Sequence, residues 1–202
     1  MKNILYLHGF GSSATSRSIK ILREIFSNFN IIAPELNPDV KEALSYVNRI
    51  INNRKIDLIV GTSLGGFLAI VCKNTRIPVL AINPTIRPSE NLKKFLGKNS
   101  YLNSRKDGSL EFNLTQYDLI KFIKYESTLE DKIESNAFRI WVILSSKDEN
   151  LKDSSEMFEN FLTQRHIIKT NQIGHCLEED FIRTKIKQII TSILEETEEE
   201  DK

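Results

Sequence analysis

Cysteine is nearly absent from this chain: Cys72 and Cys176 are the only two among 202 residues. One lies in a helix-like apolar run and the other beside His175, so they form no disulfide framework, and a reducing cytoplasm is the expected compartment. Long apolar runs are missing too. Nowhere do about 18 apolar residues follow one another, so no membrane-spanning helix is expected. The stretch between Met1 and His8 is too short for the apolar part of a secretory leader. No charge dominates: 28 Lys and Arg stand against 27 Asp and Glu, for a net charge of +1. No basic stripe interleaved with aromatics marks a nucleic-acid-binding surface. Neither Gly-x-Gly-x-x-Gly nor a loop ending Gly-Lys-Ser/Thr occurs, which removes the common nucleotide-binding signatures. The expected partner is a small molecule.

What is present begins with bulk. Hydrophobic residues make up 40% of the chain, enough for the core of one domain over residues 1–202. Short apolar runs bounded by turn residues alternate with helical periodicity, the pattern of a parallel sheet covered by helices on both faces. Strands are expected near residues 3–7, 30–34, 57–61, 78–82, 139–145 and 166–170. Asn37 and Pro38 read as the cap and first-turn proline of a helix whose apolar face is Val40, Ala43, Leu44, Val47, Ile50 and Ile51. A second stripe, Ile182, Ile186, Ile189, Ile190, Ile193 and Leu194, follows Glu178, Glu179 and Asp180, whose charges suit a helix start. The acidic run at residues 195–202 reads as a frayed, solvated tail.

One strand-to-helix junction carries chemistry. Residues 57–66 take an apolar strand straight through Gly61-Thr62-Ser63-Leu64-Gly65 into Phe67-Leu68-Ala69-Ile70-Val71. This Gly-x-Ser-x-Gly is the sequence form of a nucleophile elbow, in which a sharp turn pushes the serine oxygen clear of the backbone and into reach of a base. The two remaining partners should follow in the order acid, then histidine, on loops after later strands. Asp148 follows the strand Ile140-Trp141-Val142-Ile143-Leu144, and His175 follows His166-Ile167-Ile168. His175 would take the proton of Ser63 while the carboxylate orients the imidazole. Glu149 and Asp153 are rivals for the acid. His166 opens a strand and reads as structural. Serine attack also needs donors for the oxyanion: the N–H after the nucleophile, on Leu64, and one from the loop after the first strand, on Phe10 in His8-Gly9-Phe10-Gly11. His8 is expected to brace that loop rather than carry protons.

Residues 83–138 separate two strands, far more than the usual connection of about 2 to 6 residues in α/β units. Leu92, Phe95 and Leu96, then Leu119, Ile120, Phe122 and Ile123, predict two short helices around a polar, turn-rich stretch at residues 99–108. In hydrolases with such an elbow an interval of this kind commonly carries a cap, here at about residues 85–138; the alternative is a crossover with a decorated surface loop. Its front half holds Arg87, Lys93, Lys94, Lys98, Arg105 and Lys106 against Glu90 alone. Arg87 is the candidate substrate contact within this patch, which is either a solvated face or an attractor for an anionic leaving group such as the phosphates of an acyl-CoA.

These pieces carry a resemblance. Tyr6-Leu7-His8-Gly9-Phe10-Gly11-Ser12-Ser13, Val60-Gly61-Thr62-Ser63-Leu64-Gly65-Gly66-Phe67, Asn83-Pro84-Thr85-Ile86-Arg87-Pro88, Lys147-Asp148-Glu149 and Gly174-His175, in this order, resemble the YqiA-like family of small bacterial α/β-hydrolase esterases. The likeness spans nearly the whole chain; Lys147 stands where the family often has glycine, and Cys176 where a small apolar residue is usual. The resemblance implies a triad of Ser63, Asp148 and His175, and ester or thioester hydrolysis with no metal and no cofactor. The expected architecture is an α/β-hydrolase fold with a six-stranded, mainly parallel sheet in the spatial order 2-1-3-4-5-6, helices on both faces and a small helical cap. The expected function is a cytoplasmic serine esterase or thioesterase acting on a small acyl substrate through an acyl-enzyme on Ser63. Hydrolysis of a carbon-carbon bond with the same residues, or a non-catalytic binding role, are the alternatives.

Overall fold

The computed structural model describes residues 1–73, 76–148 and 154–200. Eight strands form among them: β1 (Asn3–Leu7), β2 (Asn30–Ile32), β3 (Leu58–Thr62), β4 (Val79–Ile82), β5 (Gly97–Ser100), β6 (Glu111–Leu114), β7 (Ile140–Ser145) and β8 (Ile167–Thr170). Six of them make one parallel sheet in the order β2-β1-β3-β4-β7-β8, and β5 and β6 pair separately as an antiparallel hairpin. The large sheet has the order expected from the sequence, and its strand limits fall within one or two residues of those read from the apolar runs. The helices are α1 (Arg17–Ile25), α2 (Val40–Asn53), α3 (Leu64–Val71), α4 (Pro88–Asn91), α5 (Gln116–Glu126), α6 (Leu129–Ser135), α7 (Ser154–Phe161), α8 (Glu179–Phe181) and α9 (Lys187–Glu200). A π-helical turn, Ile182–Ile186, joins the last two. No helix among the described residues is long and apolar enough to cross a membrane.

Strand side chains alternate between two cores. Leu5, Leu7, Ile59, Ala81 and Val142 pack on one face against α2, α3, α5 and α6, while Ile4, Tyr6, Val60, Ile82 and Ile143 pack on the other against α1 and the C-terminal helices. Burial on both faces explains why these strands read as continuous apolar runs. Pairing of Leu5 with Ile59 and Leu7 with Gly61 sets the end of β1 beside the end of β3. Because all six strands are parallel, the loops that leave β1, β3, β4, β7 and β8 open on one edge of the sheet, where ligands of such sheets bind.

Three local expectations are corrected. The cap of α2 is Asp39, which accepts from the N–H groups of Lys41 at 2.8 Å and Glu42 at 3.3 Å; Asn37 instead accepts from Asp39 N–H at 2.9 Å. A carboxylate at the cap gains from the helix dipole what an amide does not. The acidic run after Leu194 is helical as far as it is described: α9 continues to Glu200, and Lys2 pairs with Glu198. Glutamate is a good helix former, and extending an existing helix is far easier than nucleating one. The interval between β4 and β7 holds helices on both sides of residues 99–108, as expected, but that stretch belongs to the β5–β6 hairpin, with Lys98 opposite Asn113 and Asn99 opposite Phe112. Its strands are only four residues long: β5 is polar throughout, and in β6 only Phe112 and Leu114 alternate with polar residues, too short a run to mark a strand.

Candidate active site

Ser63 occupies the turn between β3 and α3 with φ 52° and ψ −118°, a left-handed conformation rare for a residue with a side chain. Such backbone costs on the order of 1–3 kcal/mol and survives only where its surroundings fix it. Here Ser63 N–H donates to Ile82 O at 2.9 Å, and Ser63 O accepts from Gly66 N–H at 3.0 Å and Thr85 N–H at 3.3 Å. The flanking glycines are required for close approach: a Cβ on Gly61 would lie 2.2 Å from Gly65 O, and one on Gly65 would lie 2.0 Å from Leu7 O. The strand, turn and helix can therefore meet only with bare backbone at both positions.

The loop after β1 runs beside this turn. A Cβ on Gly9 would sit 3.5 Å from Ser63 Cβ and 4.0 Å from Ser63 Oγ. His8 is buried; its Nε2 accepts from Leu36 N–H at 3.2 Å, which places the proton on Nδ1, where it is donated to Gly9 O at 2.9 Å. Burial holds the His8 pKa below the ordinary histidine value, although the Gly9 carbonyl and Glu35 act the other way. His8 thus ties the β1 loop to the loop after β2. The N–H groups of Phe10 and Leu64 have no acceptor in the hydrogen bonds of the described residues.

Asp148 and His175 arrive from β7 and β8. His175 Nδ1–H donates to Asp148 Oδ2 at 2.6 Å; the aspartate side chain is wholly buried and that of His175 is 44% exposed. Both loops hang on Asn83, at the end of β4. This residue is buried with a φ of 43°, a conformation asparagine tolerates. Its Oδ1 accepts from Ser145 N–H at 2.9 Å and its Nδ2 donates to Gly174 O at 2.9 Å. Ser145 Oγ bonds to Ile173 O and accepts from Lys147 N–H at 3.2 Å. Asn83 and Ser145 therefore set the carboxylate loop and the histidine loop relative to the serine turn. The sequence offered only one hint of this, an asparagine placed before proline at a strand end.

A cavity of about 440 Å³ opens at this edge of the sheet, and Phe10, Ser63, Leu64 and His175 all line it. Asp148 stands behind His175. Glu149 and Asp153, the rivals for the acid, lie outside the described residues. His166 is buried away from this edge, donating from Nδ1 to Ala137 O at 2.9 Å beside the Trp141 ring. Neither cysteine is in a disulfide; Cys72 is buried in the core, and Cys176 lines the cavity.

The opposite wall comes from the interval after β4. The Phe10 ring meets Phe95 at 5.3 Å and Phe112 at 5.2 Å, and Leu102 and Asn103 of the hairpin line the cavity. Leu102 N–H donates to Gly11 O at 2.8 Å. Arg105 is almost fully buried, 3.5 Å from Glu35 and 2.7 Å from Asp107, with Nη1–H donating to Leu36 O at 3.2 Å. Glu35 also accepts from Ala14 N–H at 3.0 Å and Lys106 N–H at 2.9 Å. Arg105 is thus spent on holding the hairpin. Lys93 pairs with Glu90 and Lys98 with Glu111, so the basic patch faces more acid than the local sequence suggests. Arg87 is exposed and is not among the cavity-lining residues, whereas Lys94 is.

The same fold recurs in solved esterases and lipases. Est1E from Butyrivibrio proteoclasticus, in a structure with ferulic acid bound, superposes with a TM-score of 0.72 at 13% identity, covering 96% of this chain and 90% of that one. A monoacylglycerol lipase from Paleococcus ferrophilus gives 0.67 at 14%, covering 96% and 94%, and a structure from a study of the metagenome-derived lipolytic enzymes LipS and LipT gives 0.68 at 16%, covering 96% and 93%. At this identity the likeness establishes the α/β-hydrolase fold. The pattern of the uncharacterised protein family UPF0227 matches residues 3–193. The chain belongs to that family, the YqiA-like family of the sequence reading.

Proposed function

We propose that this protein is a serine hydrolase that cleaves a small acyl ester or thioester through an acyl-enzyme on Ser63. The observation that carries the reading is the His175–Asp148 hydrogen bond beside a strained serine turn in one cavity. Ser63 Oγ passes its proton to His175 Nε2 as its electron pair forms the bond to the acyl carbon. Asp148 keeps the imidazole in the tautomer with Nε2 free and stabilises the imidazolium that results. The oxyanion formed is met by the Leu64 and Phe10 N–H groups, which have no other acceptor among the described residues. Collapse of the intermediate breaks the bond to the leaving alcohol or thiol, which receives the proton from His175. Water then repeats the sequence on the acyl-enzyme, releasing the acid and free Ser63.

The interval at about residues 85–138 serves as a cap on this site. Phe10, Phe95 and Leu102 make the adjoining wall apolar, which suits the hydrocarbon part of the substrate. The test is hydrolysis of a p-nitrophenyl ester: Ser63→Ala should lower the rate by about 10⁴-fold or more while the protein stays folded. A Ser63→Ala protein that keeps more than about 5% of the activity removes Ser63 from the chemistry.

A further inference from the structure

A second concavity, of about 640 Å³, lies between α2, the end of α3 and the α5–α6 pair. It shares no residue with the Ser63 cavity. The helix α3 starts at the serine turn and the groove is lined by Val71 at the helix's other end, roughly 10 Å further on at 1.5 Å per residue. Five cations line it, Lys41, Arg49, Lys73, Lys124 and Lys132, and no carboxylate does. None of the five forms an ion pair among the described residues.

The cations come from four separate stretches of a chain whose overall charge is only +1, so folding gathers them. On α2, Lys41, Ser45, Asn48 and Asn52 follow at steps of four, three and four residues, which puts them on one face. Asn48 Oδ1 accepts from Lys73 N–H at 2.8 Å, fixing the backbone that carries the third cation. Charges complementary to helix ends explain Lys124, in the last turn of α5, and Lys132, in the last turn of α6. They do not explain Lys41, which stands in the first turn of α2 against the dipole, or Arg49 in its middle. Lys132 is half-buried, so its charge is less screened by solvent than a surface lysine's. Leu44, Val71 and the half-buried Tyr125 add apolar lining.

We propose that this groove is a binding site for a small molecule carrying two or more phosphoryl groups. Five like charges around one concavity, four of them on exposed side chains, with hydroxyl and amide donors between them, form a site whose charge an oligophosphate balances and a neutral ligand does not. Its concave shape suits a small ligand better than a membrane surface.

Titration calorimetry of the protein with sodium tripolyphosphate tests this. Binding should be saturable at one site and weaken by about tenfold or more between about 20 and 300 mM NaCl. The double substitution Lys124→Glu with Lys132→Glu should weaken it by at least about tenfold, while Lys20→Glu with Lys187→Glu, an equal charge change elsewhere, should alter it by less than about twofold. If the glutamate variant does not unfold cooperatively, Lys124→Gln with Lys132→Gln takes its place and should lose affinity in the same direction. Absence of saturable binding at low salt overturns the proposal, as does equal loss in both double variants. So does binding of anionic vesicles or single-stranded RNA, lost in the groove variant, by a protein that does not bind tripolyphosphate.

Discussion

Ser63 and His175 stand on loops leaving the ends of β3 and β8, whereas Leu102 and Asn103 reach the same cavity from a hairpin inserted between β4 and β7. The first wall is set by the sheet. Its residues follow from strand order and from contacts that admit no side chain, such as Gly65 against Leu7 O. The second wall is docked. It rests on the Arg105–Glu35 pair, the Leu102–Gly11 hydrogen bond and the Phe95 and Phe112 rings against Phe10. Walls built in these two ways should fail differently: damage to the first should act on the chemical step, and damage to the second on substrate binding.

The largest effects belong to the sheet wall. His175→Ala should cost about 10⁴-fold or more in kcat, and Asp148→Asn about 10³ to 10⁴-fold, because each removes or misorients the base. Glu149→Gln should change little; a reversed order between the two acids would move the carboxylate by one residue. Asn83→Ala comes next. It leaves Ser145 N–H without its buried acceptor and frees Gly174, and displacement of His175 by about 1 Å is enough to lower kcat by about 10²-fold with KM nearly unchanged. Asn83→Asp keeps the acceptor for Ser145 but sets a buried carboxylate oxygen against Gly174 O, so it should recover little of that loss. An Asn83→Ala protein whose KM rises while kcat holds would contradict the positioning role.

The docked wall gives the smaller kinetic effect. Arg105→Ala removes a nearly buried charge from Glu35 and loosens the hairpin; KM should rise about threefold to tenfold with kcat little changed. Equal losses in kcat would merge the two walls into one unit and end the distinction.

Stability against pH gives the smallest effect. Burial holds both His8 and His166 below the ordinary histidine pKa, against the pull of the Gly9 carbonyl and Glu35 on the first and of the Ala137 carbonyl on the second; Arg105 adds to the lowering of His8. Such groups take up protons in the unfolded chain first. Their contribution is therefore complete above about pH 6.5 and lost as pH falls toward the folded values, by up to about 1.4 kcal/mol per pH unit for each. Urea midpoints should fall between about pH 7.5 and 5.5, and His8→Asn should flatten that slope. An unchanged slope in the variant would show that His8 is not held neutral.

The two walls also differ in how far they can be read from sequence. Gly61, Ser63 and Gly65, the loop of Phe10, and His175 stand at strand ends where apolar runs stop, and the structure brings Ser63, His175, Phe10 and Leu64 to one cavity with Asp148 behind. The parallel sheet followed from the alternation of apolar runs and helical stripes, and its order from the α/β-hydrolase resemblance. The hairpin did not, because its strands are only four residues long and its place depends on partners far away in sequence: Arg105 pairs with Glu35 and Leu102 with Gly11. Arg87 shows the same gap. Local charge made it a candidate contact, but the turn into α4 leaves it exposed and off the cavity, and Lys94 lines the cavity instead. Asn83 was visible as a residue but not as a support, since its two bonds reach Ser145 and Gly174, on β7 and on the loop after β8.

The most direct test of the central claim is covalent labelling. The folded protein is treated with a fluorophosphonate, the intact mass is measured, and the modified peptide is sequenced. The account predicts a single adduct on Ser63, absent from Ser63→Ala and formed far more slowly in His175→Ala. A folded protein that takes up no label, or one whose label persists in Ser63→Ala, would contradict it.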